Sequence, residues 1–357
     1  MTARRHRSGF RIRTSARRLI GEPAVSTTPD NWSMRGLILV ASFAVPALIA
    51  SSLLLAPGAS ARGTGPFGAL PGHLLFTRTH GNDVQTIYLV RGKSEQRVAP
   101  PGAYCCLLRI SPDHRKILVM PGGDIAPPVT GGTISLAGGG FLRLALVDPK
   151  LNLVPQAWSP DGARIAFEGW DDSDPSRTGV YTAAADGTSL ARVTTRPGLR
   201  HDIPLDYAPD GKHLVIYRSV GVDPDPQVGG SLWVVGVDGS GLHMIAGTSA
   251  RPASWARWSK NGDRVMFANE RTAPKGAIWT VRPDGTHRVR VFYDPHGGFP
   301  IQPVWSPDGR KILFALDPTN DQFEHPANKL YLISSDGSKP QLILAGSNFK
   351  SQPEWWQ

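Results

Sequence analysis

Five residues in short polar stretches carry the side chains best suited to chemistry. Arg200 and His201 fall in 197–202, Arg251 in 248–254, His296 in 295–299 and Lys350 in 347–351. Guanidinium forks and an ammonium hold anionic groups, such as the carboxylate of a sugar or a peptide, through charge-assisted hydrogen bonds. The two histidines suit a second chemistry. With His80 or His325 as a third nitrogen and Gln302 nearby, His201 and His296 fit a divalent metal with an open position, the arrangement that activates water or polarises a carbonyl. Acids stand apart from this basic set: Asp171, Asp172, Asp174, Asp223, Asp225, Asp317, Asp321 and Glu324. Solvated loop charges account for the same residues. The five are therefore read as ligand-binding, with no catalytic residue assigned and no cofactor expected outside the metal alternative. The Asp-rich stretches 171–174 and 223–225 lack the spacing and terminal Glu of an EF-hand.

The elements that must position these residues repeat. An aromatic or apolar anchor opens a turn at Ile110 (ISPDH), Trp158 (WSPDG), Tyr207 (YAPDG), Trp258 (WSKNG) and Trp305 (WSPDG), and Trp355 ends the series in QPEWW; the spacings are 48, 49, 51, 47 and 50 residues. From the Gly of a second turn (Gly92, Gly139, Gly187, Gly239, Gly285, Gly337) to the next anchor the distances are 18, 19, 20, 19, 20 and 18. A period near fifty with three or four short strands per unit predicts a β-propeller, whose small sheets bury their faces only against one another. In Ser-Pro-Asp-Gly, Pro presets φ, Asp accepts local backbone hydrogen bonds and Gly takes the left-handed corner, so each motif is a hairpin. His114 replaces that Gly in the second unit, a residue type tolerated at positive φ. Runs such as Ile165-Ala166-Phe167 and Ile312-Leu313-Phe314 are apolar on both faces, as sandwiched sheets require.

These motifs resemble the TolB-like six-bladed propeller repeat, a WD-type relative found in exported bacterial proteins, over residues 73–357. The resemblance implies an all-β, six-bladed propeller whose C-terminal strand, near 352–356, pairs with the N-terminal blade. It also implies that the turns lie on one face. The variable loops and inter-blade links then gather on the other, at the mouth of the central channel, which is where the five residues above would converge. Function is left open by the fold, since such blades serve as scaffolds, as gates of prolyl peptidases and in some polysaccharide lyases. Manganese-dependent oligogalacturonate lyases are similar in fold and use His and Gln on such a face.

The remainder concerns location. Residues 1–35 hold eight Arg against Glu22 and Asp30, most of the net charge of +10, so the propeller itself has little of the basic surface that nucleic acid requires. From Gly36 to Ala56 no residue is charged, 21 residues long enough to span a membrane as a helix. Ala59-Ser60-Ala61 follows with the small-x-small pattern of a signal peptidase site. The expected organisation is a disordered basic leader (1–35), a signal peptide or transmembrane anchor (36–61), a Gly/Pro-rich spacer (62–72) and the propeller (73–357). Starting at Met34 the segment is an ordinary signal peptide; starting at Met1 it can remain as an anchor. Either outcome places the propeller outside the cytoplasm, secreted or held by one helix, as a monomer whose partner is an envelope protein or a small anionic ligand. Cys105-Cys106 is the sole cysteine pair and has no zinc spacing. No G-x-S-x-G is present, and Gly63–Gly68 matches G-x-G-x-x-G without a helix to follow it.

Overall fold

The computed structural model describes residues 70–80, 84–92, 94–121, 128–137, 140–145, 148–195, 201–219, 230–248, 253–269, 276–317, 329–345 and 350–357. The leader, the apolar segment 36–61 and most of the spacer lie outside them. Among the described residues no helix is long and apolar enough to cross a membrane, and the only helical element is one 3-10 turn, Pro175–Arg177.

Among the described residues, twenty-four strands form six four-stranded antiparallel sheets. Blade 1 comprises β1 (His73–His80), β2 (Val84–Arg91) and β3 (Ser94–Arg97), and blade 2 comprises β4 (Tyr104–Ile110), β5 (Lys116–Pro121), β6 (Gly132–Ser135) and β7 (Leu142–Arg143). Blade 3 runs β8 (Asn152–Trp158), β9 (Arg164–Trp170), β10 (Gly179–Ala184) and β11 (Ala191–Arg192); blade 4 runs β12 (Asp202–Tyr207), β13 (His213–Ser219), β14 (Gly230–Gly236) and β15 (His243–Ala246). Blade 5 is β16 (Ala253–Trp258), β17 (Val265–Asn269), β18 (Ala277–Val281) and β19 (Val289–Tyr293). Blade 6 is β20 (Phe299–Trp305), β21 (Lys311–Asp317), β22 (Lys329–Ser334) and β23 (Gln341–Ala345). The last strand, β24 (Lys350–Trp356), becomes the innermost strand of blade 1, pairing antiparallel with β1 from His73↔Trp356 to Arg78↔Lys350. Inner strands touch in the cyclic order β24, β4, β8, β12, β16, β20 and back to β24.

Packing follows the repeat. Six apolar clusters each lie between two successive blades, for example Leu75, Leu89, Leu108 and Ile134 between blades 1 and 2, and Val304, Leu313, Leu74 and Trp355 between blades 6 and 1. A phenylalanine nine residues after the anchor is fully buried in three blades (Phe167, Phe267, Phe314). Such runs are apolar on both faces because each sheet is covered twice.

The hairpin motifs that carry a serine cap themselves. Ser159 Oγ donates to Asp161 Oδ1 at 2.6 Å and accepts from Arg164 N at 2.9 Å, and Ser111 and Ser306 repeat the pattern. Gly162, Gly211, Gly262 and Gly309 take φ of 68–76° at the left-handed corner, and His114 takes 56° in the same place. The reason for that histidine is visible: its ring lies 5.5 Å from Trp356 of β24, which His73 flanks from another side at 5.6 Å. The outer strands of blade 2 are short, Gly132–Ser135 and Leu142–Arg143. The fourth strand of this blade is Leu142–Arg143, and Leu142 is exposed.

Candidate functional site

No inner strand escapes a register shift: β4, β8, β12, β16, β20 and β24 each slip against their neighbour just before the anchor. A bulge sharpens the twist and re-aims the next side chain. In all six blades that next residue immediately precedes the anchor: Glu354 in blade 1, Arg109 in blade 2, Ala157 in blade 3, Asp206 in blade 4, Arg257 in blade 5 and Val304 in blade 6. Acid, arginine and small apolar residue thus occur twice around the ring, in a pseudo-twofold order.

The four charges meet across the channel. Arg109 Nη1 donates to Glu354 Oε1 at 3.2 Å, and Arg257 Nη2 donates to the same oxygen. Blades 1 and 5 are not neighbours, so the second contact reaches past blade 6. Asp206 Oδ2 accepts from the backbone N–H of Trp258 at 2.9 Å. Side-chain exposures of 15%, 14% and 11% for Arg109, Arg257 and Glu354 leave little water to screen them. Burial, aided by the neighbouring Arg257 charge, lowers the Arg109 pKa to about 10 against the pull of Glu354 and Asp206. Burial also opposes the Arg257 charge, but there Glu354 and Asp206 prevail and raise its pKa. For Asp206, burial dominates over both arginines and pushes the carboxyl up. The arrangement is a mutually neutralising ring that ties four blades together.

A second polar cluster sits between blades 3 and 4. His201 Nδ1 meets Glu168 Oε1 at 2.5 Å, and the His201 ring stands edge-on to Trp170 at 6.0 Å. Glu168 is fully buried, its Oε2 has no partner, and burial raises its pKa despite the His201 contact. Beside it Asp202 takes both hydrogen bonds of a bidentate fork from Arg218, each 2.7 Å.

Of the five residues expected to converge at the mouth, His201 is therefore 5% exposed and held by Glu168, whereas His296 is exposed, its backbone N–H donating to Asp294 Oδ1 at 3.2 Å. Arg200 and Arg251 lie outside the described residues, and Lys350 is described only through its backbone pairing with Arg78. His80 ends β1, His325 is outside the described residues, and Gln302 lies within β20. Among the described residues no three His, Cys, Asp or Glu side chains assemble as metal ligands. The acidic set proves partly architectural. Asp171 is buried and accepts from Arg177 and Ser173, Asp172 accepts from Asn152 and Trp170, and Asp174 caps the 3-10 turn. Asp317 is buried at the end of β21, while Asp223, Asp225, Asp321 and Glu324 lie outside the described residues. Cys105 and Cys106 are in β4, with side chains outside the description.

Sequence reading missed the charged ring. Its signal was present, since Arg-Ile, Asp-Tyr, Arg-Trp and Glu-Trp occur at the repeat anchors, but only the bulges reveal that the first residue of each pair turns inward.

No family model and no curated protein sequence matches the chain. Solved structures do. TolB from Acinetobacter baumannii superposes with a TM-score of 0.59 at 14% identity, covering 79% of this chain and 66% of that one. This chain thus spans just under two thirds of that protein's length. A putative TolB from Agrobacterium tumefaciens gives 0.57 at 19% identity, with 80% and 98% covered. An oligogalacturonate lyase in complex with manganese gives 0.54 at 11%, with 78% and 75% covered. Together with the six blades, these likenesses identify the fold of the chain as a TolB-like six-bladed β-propeller.

Proposed function

We propose that this protein is an exported or membrane-anchored scaffold of the cell envelope that binds a protein partner or a small anionic ligand on its link face. One observation carries the binding reading: the channel charges are spent on one another, and the turn face is closed by self-capped hairpins. The link face is left as the surface where sequence varies, on a rigid support. Export rests on the arginines, the apolar segment and the Ala59-Ser60-Ala61 site; the TolB-like fold agrees with that reading. The test is localisation and partner capture with the full chain. The tagged protein is expected in the envelope or medium, cross-linked to a defined partner that is lost when His201, His296 and Lys350 become alanine and kept when the turn-face Asp186 and Asp284 do. A cytoplasmic protein, or a partner that maps to the turn face, would overturn it.

A metal-assisted lyase-like activity on acidic polysaccharide is the second reading, supported by the way Glu168 holds His201 through Nδ1. Metal-ligating histidines are commonly oriented by a carboxylate on their other nitrogen. His201 and His296 would then act at the mouth with a divalent metal. Chelator-sensitive cleavage of oligogalacturonate would favour this reading over the scaffold.

A further inference from the structure

Five large apolar side chains are exposed among the described residues, and four of them lie on the outer rim of three successive blades. Leu242 (37% exposed) and Met244 (50%) belong to the outer hairpin of blade 4, Val289 (50%) to that of blade 5 and Leu342 (46%) to that of blade 6. The strands concerned, β15, β19 and β23, are each the outermost of a sheet, so among the described residues one edge of each is open. Met244, Arg290 and Leu342 occupy the same register, opposite Trp233, Trp279 and Tyr331. The three strands form a continuous rim, because the outer turns of blades 5 and 6 rest on the outer strands of blades 4 and 5. His243 Nε2 meets the Pro283 carbonyl at 2.9 Å, and the turn at Gly337 lies against the Val291 carbonyl.

Charge follows the same arc. None of β15, β19 and β23 holds an acidic residue, and residues 286–290 are exposed throughout and include Arg288 and Arg290. Arg282 is exposed at the other end of that turn. Arg290 lies over the rings of Trp279 and Tyr293, at 5.9 and 5.0 Å, and enters no ion pair among the described residues. The acids of these hairpins sit in the turns, where Asp238, Asp284 and Asp336 accept hydrogen bonds from the residue two further on. Other rims differ. The outer strand of blade 1, β3, carries Glu95 and no apolar residue, and in β11 the Arg192 guanidinium is spent on the carbonyls of Ser176, Thr178 and Thr194.

We propose that this rim rests on a bilayer of anionic phospholipid, with Arg282 and Arg290 at the headgroups and Leu242, Met244, Val289 and Leu342 entering the interface. A rim of arginine, indole, phenol and aliphatic side chains has the composition of interfacial membrane contacts, in which apolar insertion and attraction to anionic lipid add. Where the chain enters the propeller argues for this occupant. Leu70 packs in the cluster that contains Ile343, the neighbour of Leu342 on β23, and Trp355 Nε1 donates to the Pro71 carbonyl at 2.7 Å. From there residues 62–69 reach at most about 30 Å to the apolar segment 36–61. A bilayer that holds that segment is therefore within reach of this rim. The inference goes beyond the link-face reading and rests on the export reading only for the presence of a membrane beside the propeller.

The test is hydrogen exchange read by mass spectrometry on the full chain, with vesicles of phosphatidylcholine alone, with vesicles of phosphatidylcholine and phosphatidylglycerol, and with polyglutamate as an acidic polypeptide. Amides on the open edges of β15, β19 and β23 are expected to exchange at least about threefold more slowly with the anionic vesicles than with the neutral ones, while those of β3 and β11 stay unchanged. Arg282→Gln with Arg290→Gln should erase the difference; both sites are exposed, and unaltered exchange in β9 and β13 checks that the variant is folded. Equal exchange with the two kinds of vesicle, or a difference that survives in the variant, overturns the lipid surface. Slowing by polyglutamate alone gives the rim to an acidic protein, and slowing without vesicles that grows with protein concentration gives it to a second copy; either result overturns the inference. A cytoplasmic protein that still shows the lipid-dependent slowing defeats the export reading alone, and an envelope protein without it defeats this inference alone.

Discussion

Replacing Glu354 with Gln removes one negative charge from beneath two arginines while keeping the side chain's shape. In the wild type a single carboxylate oxygen accepts from Arg109 and Arg257, and all three side chains are at least 85% buried. Taking away one partner of a buried pair leaves uncompensated charge in a poorly hydrated site, which costs about 3–5 kcal/mol. Here the arginines retain Asp206 as a counter-charge, so the expected loss lies near the lower end, about 3 kcal/mol. For a domain with a stability of about 5–15 kcal/mol, that is a large fraction. The assay is urea unfolding followed by tryptophan fluorescence. A companion variant separates the cost of stranded charge from the worth of the ring: Arg109→Met, Asp206→Leu, Arg257→Met and Glu354→Met together remove every charge, and apolar replacement of whole buried ion clusters is often neutral or stabilising. The reasoning predicts a marked loss for E354Q and a smaller one for the quadruple variant. An E354Q protein within about 1 kcal/mol of wild type would refute it, because loss on that scale is what an exposed pair gives.

Other expectations follow from the same geometry. Trp305 packs against the cluster between blades 5 and 6, so Trp305→Ala should cost about 3–5 kcal/mol in urea unfolding; a loss under about 1 kcal/mol would mean that the ring is not part of that core. Deleting residues 352–357 removes most of β24 and should abolish cooperative melting, whereas an unchanged melting curve would show that ring closure contributes nothing. Desolvation beside Trp356, with a smaller contribution from His73, holds the His114 pKa below 6.5, against the opposing pull of Asp113. A base depressed in the folded state contributes stability that is present above pH 6.5 and lost as pH falls through its lower folded value. His114→Gly should therefore flatten the decline of melting temperature between pH 7 and pH 5; an unchanged decline would remove His114 from the account.

Periodicity made the architecture legible because it depends on local chemistry. The spacing of Trp158, Tyr207, Trp258 and Trp305 reports one blade per repeat, and the hairpin motif describes its own hydrogen bonds. His114 was recognisable as a glycine substitute, but its purpose was not, since Trp356 is 242 residues away in sequence and meets it only when the last strand docks. The site was less legible for a similar reason. Alternation along β16 cannot tell that Arg257 reaches across the ring to Glu354, because a bulge changes the parity of every residue beyond it. The sequence presents His201 as a charge at the mouth, yet its character comes from Glu168 on β9. The Asp171–Asp174 loop looked like free acidity and is instead tied to Arg177, Asn152 and Trp170.

The central claim is that β24 closes the ring and is held there through Glu354. Hydrogen exchange read by mass spectrometry on residues 350–357 addresses it directly. If the claim is right, the amides of β24 exchange as slowly as those of β1 in the wild type, and much faster in E354Q while β9 and β13 stay protected. Rapid exchange of β24 in the wild type, with the other blades protected, would contradict it.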